Sequence, residues 1–197
     1  MSPDDPGRAA VSTISADASV QRGTAVASQR GSFERTDAQA GVDVERVAEL
    51  LGRPPLCEFD VVVRDEGGDP VVIRNAPFFH DGTPMPTRYW LVSRELLRAV
   101  SRLETAGGVR QAERELDPEA VAVAHDRYAA ERDAVIPADH AGPRPSGGVG
   151  GTRRGVKCLH AHYAWHLAGG DDPVGRWVAD RVVLGSGPPH DQGATDG

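Results

Sequence analysis

Residues 155–168 hold Cys158, His160, His162 and His166, one cysteine and three histidines within nine positions. Thiol and imidazole are the side chains that bind transition ions and carry nucleophilic or acid–base chemistry near neutral pH. The other cysteine, Cys57, and the other histidines are scattered. Chemistry in this chain is therefore expected first here.

The spacing predicts a helix. On it Cys158, His162 and His166 fall at i, i+4 and i+8 along one stripe, with Leu159, Tyr163 and Leu167 beside them and His160 almost opposite Cys158. A His162/His166 pair or a Cys158/His162 pair can chelate one ion such as zinc, but zinc is not favoured, because the paired Cys-x-x-Cys or carboxylate ligands that mark closed zinc sites are absent. All three cannot bind one ion, because the outer two stand about 12 Å apart along the axis. Completing such a site would take Cys57, His80, His125 or His140 from elsewhere. A second reading makes Cys158 a nucleophile. Lys157, Arg153, Arg154 and a helix start all lower a thiol pKa, and His160 or His162 would be the base. The third reading is a packed helix whose histidines bond backbone groups.

Before this helix runs a glycine- and arginine-rich segment, residues 146–157. Glycines let backbone amides approach an anion, a helix start adds more, and Arg153, Arg154 and Lys157 supply charge. No acid occurs between Asp139 and Asp171. The nucleotide P-loop pattern fails, since Val156 stands where its lysine belongs and no strand precedes the loop. An anion site and a solvated glycine linker both remain open. Arg53 and Asp81, each in a turn-forming string, are weaker candidates for the same site.

The rest of the chain must position these groups. Its 197 residues carry 22 basic and 29 acidic side chains, a net charge of −7. That excludes general nucleic-acid binding, which needs a basic face. Two cysteines about a hundred positions apart make no disulfide framework. No apolar run approaches the roughly 18 residues of a membrane span, and the start lacks a basic-then-apolar leader, so a reducing cytoplasm is the expected location. Residues 1–41 are poor in large apolar side chains and are expected to be a disordered tail. Residues 42–184 should form one domain, with 185–197 a flexible C-terminal tail.

Within that domain a helix capped by Asp43 should end at Gly52-Arg53-Pro54-Pro55. Phe59 to Arg64 and Pro70 to Arg74 read as a hairpin around Glu66-Gly67-Gly68-Asp69, and Tyr89 to Val92 as a third strand. Helices are expected after Ser93, over 109–116, after Asp117-Pro118, over 155–168, and from Asp172-Pro173 to about Val183. The fold class is α+β: a small three-stranded antiparallel sheet with one apolar face, covered by about five helices.

Leu51 to Pro55, Asp81 to Thr87 with Tyr89-Trp90-Leu91, Ser101-Arg102-Leu103-Glu104, and Arg154 to His162 together resemble the bacterial, mainly actinobacterial, domain of unknown function 501 family. The resemblance spans roughly residues 44–180. It implies no activity, but it centres the motif on Lys157, Cys158 and His160. Many relatives carry further cysteines near the first hairpin or after the third strand. Here those segments read Arg64-Asp65-Glu66 and Val92-Ser93, which disfavours a shared cysteine-rich metal site. Genes of the family lie near those for enolase, a septum-formation initiator and an exopolyphosphatase, an association with cell division and phosphate.

Two functions stay open. One is a binding or regulatory module holding a phosphate-type small molecule or an acidic protein partner at Arg153, Arg154 and Lys157. The other is an enzyme using Cys158 as nucleophile or metal ligand with His160 or His162. The sequence spells out no complete catalytic set, which favours the module.

Overall fold

A computed structural model describes residues 37–182. The expected C-terminal tail, and the expected N-terminal tail as far as residue 36, lie outside the described residues. The first helix, α1, spans Asp37–Leu51. Asp43 is therefore inside the helix and does not cap it. Its side chain is buried and receives Arg64 Nη2 at 2.7 Å. The expected stop is observed. Gly52 turns left-handed at φ +70°, and Arg53 N–H reaches back to the Ala48 carbonyl at 3.1 Å. That i to i−5 bond is the Schellman ending, which glycine accommodates without a Cβ clash.

Three strands follow: β1, Phe59–Arg64; β2, Pro70–Asn75; β3, Tyr89–Leu91. They pair antiparallel in the order β1-β2-β3. Gly68, at φ +86°, closes the hairpin turn, and Asp65 Oδ1 accepts from Asp69 N. The register sets Val61 and Trp90 beside Ile73, and Leu91 beside Val72, with a bulge at Val61/Val63.

This sheet is buried on both faces, not one. Val47 of α1 packs with Ile73 and Val92, while Val72, Leu91 and Val63 face the larger core. The continuous apolar run Val71-Val72-Ile73 in the central strand is the physical reason. Alternation sends neighbours to opposite faces, so such a run needs cover on both.

The larger layer comprises α2 (Arg94–Thr105), α3 (Gly108–Glu115), α4 (Pro118–Asp133), α5 (Leu159–Leu167) and α6 (Pro173–Ala179), with a single 3-10 turn at Val149–Gly151. The described helices are thus six, one at each place where the sequence pattern predicts a helix. The caps anticipated at Ser93 and Asp117 accept from backbone amides, and Asp172, at the expected start of the last helix, does the same. Replacing such a cap by alanine typically costs about 0.5–2 kcal/mol. α5 lies at the centre, against α2, α6 and β3. Leu159 and the run Ala161 to Trp165 are all buried on it. A helix buried almost all round has no free polar face, so its histidines must each find a partner inside. Among the described residues no helix is long and apolar enough to cross a membrane.

Candidate metal and anion site

The glycine-rich segment is a pinned structure. Gly147, Gly150 and Gly151 all have positive φ, and the chain folds on itself through Gly148 N to Thr152 O at 2.7 Å and Gly151 N to Gly148 O at 3.0 Å. Arg132, almost fully buried, donates Nη1 to the Gly147 carbonyl at 2.7 Å. His125 holds both ends of the loop. Its Nδ1 accepts from Val149 N at 3.1 Å and its Nε2 donates to Gly155 O at 2.9 Å. An amide can only donate and a carbonyl can only accept, so these partners fix the neutral Nε2–H tautomer. Burial pushes the His125 pKa below its ordinary value, and the neighbouring His162 adds to the effect. A Cβ on Gly148 would stand 2.4 Å from His125 Cβ, so only glycine fits there.

Two carboxylates already occupy amides that an anion cradle would use. Glu113 Oε1 accepts from Val156 N at 3.0 Å, and Glu104 Oε1 from Leu159 N at 2.6 Å. A cradle built from those amides is therefore closed to an external anion. The cations are available nonetheless. Arg153, Arg154 and Lys157 are exposed and make no ion pair among the described residues.

Cys158 is the cap residue of α5, outside the helix, with extended φ −152° and ψ 115° and no side-chain capping bond. This overturns the placement of His160 opposite Cys158, because a 100° step does not apply across a cap. Cys158 Sγ lies 3.9 Å from His160 Nδ1, and Glu104 Oε1 lies 3.3 Å from the same nitrogen. His160 Nε2 is 3.2 Å from the Leu97 carbonyl and 3.2 Å from Ser101 Oγ. The carbonyl places a proton on Nε2, which leaves Nδ1 to face the thiol and carboxylate. Partial burial depresses the His160 pKa, but Cys158, Glu104 and the Leu97 carbonyl outweigh it and raise the net value above the ordinary one. Glu104, Cys158 and His160 present one ligand atom each, all within 4.8 Å of one another and each half-buried.

Neither His162 nor His166 enters the group of ligand atoms that contains Cys158 among the described residues. His162 is fully buried, and its Nδ1 donates to Asp172 Oδ2 at 2.7 Å, while its Nε2 has no partner within the chain. Asp172, equally buried, uses Oδ1 for Val174 N and Gly175 N at the start of α6. His166 is partly buried and abuts Gly175, whose added Cβ would meet His166 Cβ at 2.4 Å. Arg53 ends α1 and lies over the Trp90 ring at 5.5 Å, on the α1 side of the sheet. Asp81 closes its own turn by accepting from Thr83 N and Oγ1. His80 lies in that same loop, His140 stacks on Phe78, and Cys57 is buried with its thiol pushed up by desolvation. None of these joins the Glu104–Cys158–His160 group.

Sequence reasoning missed Glu104 as the neighbour of Cys158 and His160, and missed Asp172 and His125 as the clamps around α5. One cue for Glu104 was present. It closes the Ser101–Glu104 string that carried the family resemblance, and Ser101 from that string also touches His160.

A family model described as a protein of unknown function (DUF501) matches residues 61–180. It contains Glu104, Cys158, His160 and the whole glycine-rich segment, and leaves Leu51 to Pro55 outside. Comparison with curated proteins and with solved structures finds no match.

Proposed function

This chain belongs to the DUF501 family, and we propose that it is a metal-dependent binding protein. Glu104, Cys158 and His160 hold one divalent transition ion, and an anionic ligand takes the ion's open position. The single observation that carries the reading is the convergence of three unlike donor atoms within 4.8 Å. Around a tetrahedral zinc ion, ligand lengths of about 2.0–2.3 Å give nitrogen–oxygen edges of about 3.3 Å and sulfur–nitrogen edges of about 3.6 Å. The corresponding separations here are 3.3 and 3.9 Å. The bond from His160 Nε2 to Leu97 O is the kind of outer contact that orients a ligating imidazole.

The same geometry argues against a cysteine nucleophile. A catalytic relay places the thiol on one imidazole nitrogen and the acid on the other. Here both share Nδ1, so the carboxylate competes with the thiol. Three protein ligands leave a fourth position toward solvent, as in open zinc sites. Arg153, Arg154 and Lys157 make a phosphate- or carboxylate-bearing molecule the natural occupant, bound by the ion in place of the amides that Glu104 and Glu113 use.

The test is titration of the full chain with Co(II), read by thiolate-to-metal absorption, with Zn(II) competition. One equivalent is expected. Cys158→Ser should remove the charge-transfer band, and Glu104→Gln and His160→Ala should each weaken binding at least tenfold, while His166→Ala leaves it unchanged. Inorganic phosphate should shift the cobalt spectrum, less so with Arg153→Ala and Arg154→Ala together. Sub-stoichiometric uptake, or equal loss in His166→Ala, would overturn the proposal.

A further inference from the structure

We propose that a second cavity, between the open end of the β1–β2 hairpin and the end of α4, binds a small monocarboxylate through Arg88. The observation is a buried guanidinium with little to hold. Arg88 is 7% exposed. Its Nη1 donates to the Asn75 carbonyl at 3.3 Å, Nε has no hydrogen-bond partner, and Nη2 makes no bond within the described residues. Buried guanidinium groups ordinarily use most of their five donors.

The nearest acid does not fill this need. Glu131 Oε1 stays 3.6 Å from Arg88 Nε. That carboxylate is committed elsewhere, accepting from Tyr89 Oη and, at 3.1 Å, from Trp165 Nε1. Tyr128 Oη accepts from the Arg88 backbone amide at 2.6 Å, so α4 fixes where the arginine sits. The guanidinium is held in place by its surroundings and left short of acceptors.

Arg88 lines a cavity of about 350 Å³, at the small end of ligand pockets. Its walls combine Phe59, Pro77 and Val135 with Arg74, Asp60 and Glu58. Val135 is 49% exposed, an apolar side chain left at the mouth. Arg74 is tied to Asp60 at 3.0 Å, whereas Arg88 has only Glu131, 3.6 Å from Nε and hydrogen-bonded elsewhere. One fork-shaped cation, apolar walls and two acids at the rim select a planar monoanion with an apolar body. A carboxylate matches the guanidinium fork in two parallel bonds, whereas a phosphate dianion would meet Asp60 and Glu58.

The experiment is a titration of the full chain with benzoate, followed by amide chemical shifts, with acetate and inorganic phosphate run alongside. Saturable shifts confined to residues 58–60, 74–77, 88 and 135 are expected, with benzoate binding tighter than acetate or phosphate. Arg88→Lys keeps the charge and loses the fork, and should weaken benzoate at least tenfold. If that variant does not fold, Val135→Glu on the exposed rim gives the same readout by adding a repelling charge. Shifts that fail to saturate, shifts confined to residues 153–160, phosphate binding tighter than benzoate, or unchanged affinity in Val135→Glu would each overturn it.

Discussion

His160 and His162 sit two residues apart on α5 and live in opposite worlds. His160 is half-buried at the helix start, with Nδ1 facing a thiol and a carboxylate, and a backbone carbonyl behind it. His162 is fully buried and locked to Asp172 at 2.7 Å. The acid beside His160 lies on α2, in reach of solvent and of other cations. The acid beside His162 is spent on capping α6 and cannot move without unseating that helix. The same residue type is thus a candidate ligand at one end of a turn and a structural clamp at the other. Exposure and the freedom of the partner acid, more than identity or spacing, decide which.

The comparison predicts its largest effect at Asp172. Asp172→Ala removes the partner of a fully buried imidazole and the cap of α6 together. Leaving a buried donor without its acceptor costs about 1–3 kcal/mol, and losing a helix cap about 0.5–2 kcal/mol more. Glu104→Gln keeps a group able to accept from Leu159 N in a half-exposed place and should cost under about 1 kcal/mol. Urea unfolding of the metal-free chain measures both. Equal losses would erase the distinction between a structural and an open histidine.

The next effect concerns the loop that holds the helix start. Gly148→Ala drives a methyl to 2.4 Å from His125 Cβ, and no flexible side-chain end is there to yield. Overpacking of this kind costs about 1–3 kcal/mol. A neutral Gly148→Ala would mean that the loop is the solvated linker it resembled in sequence.

Much of this fold is readable from local pattern. The strands, the hairpin and the caps at Ser93, Asp117 and Asp172 follow from turn chemistry and periodicity, which act over a few residues. The errors lie where distant chain decides. Asp43 looked like a helix cap because nothing nearby shows that Arg64 will bury it. The sheet's second covered face depends on where α1 docks. Glu104 stands 54 positions before Cys158 and joins it only because α2 packs on α5. The wheel that set His160 opposite Cys158 assumed helical angles at a residue that adopts extended ones. A thiol at a cap swings toward the second residue of its helix, which no periodicity count reveals.

The smallest effect is the most discriminating, because its sign differs between two histidines. His125 has a folded pKa below its ordinary value of 6.5. The folded state then binds fewer protons than the unfolded chain, so the stability tied to neutral His125 is present above that value and is lost as pH falls through it. His160 has a folded pKa above 6.5. Its contribution is present in full below that value and is lost as pH rises through the folded value. Urea midpoints of the metal-free chain between pH 5 and 8 should therefore fall toward both ends. His160→Gln should flatten only the alkaline side, and His125→Gln only the acid side. Saturating zinc must reverse the alkaline limb, since an ion at Nδ1 needs that nitrogen without its proton. Stability that rises with pH in the loaded chain and falls in the bare one would tie the proton and the ion to one atom. An alkaline limb that zinc leaves unchanged would separate them, and His160 would then be as structural as His162.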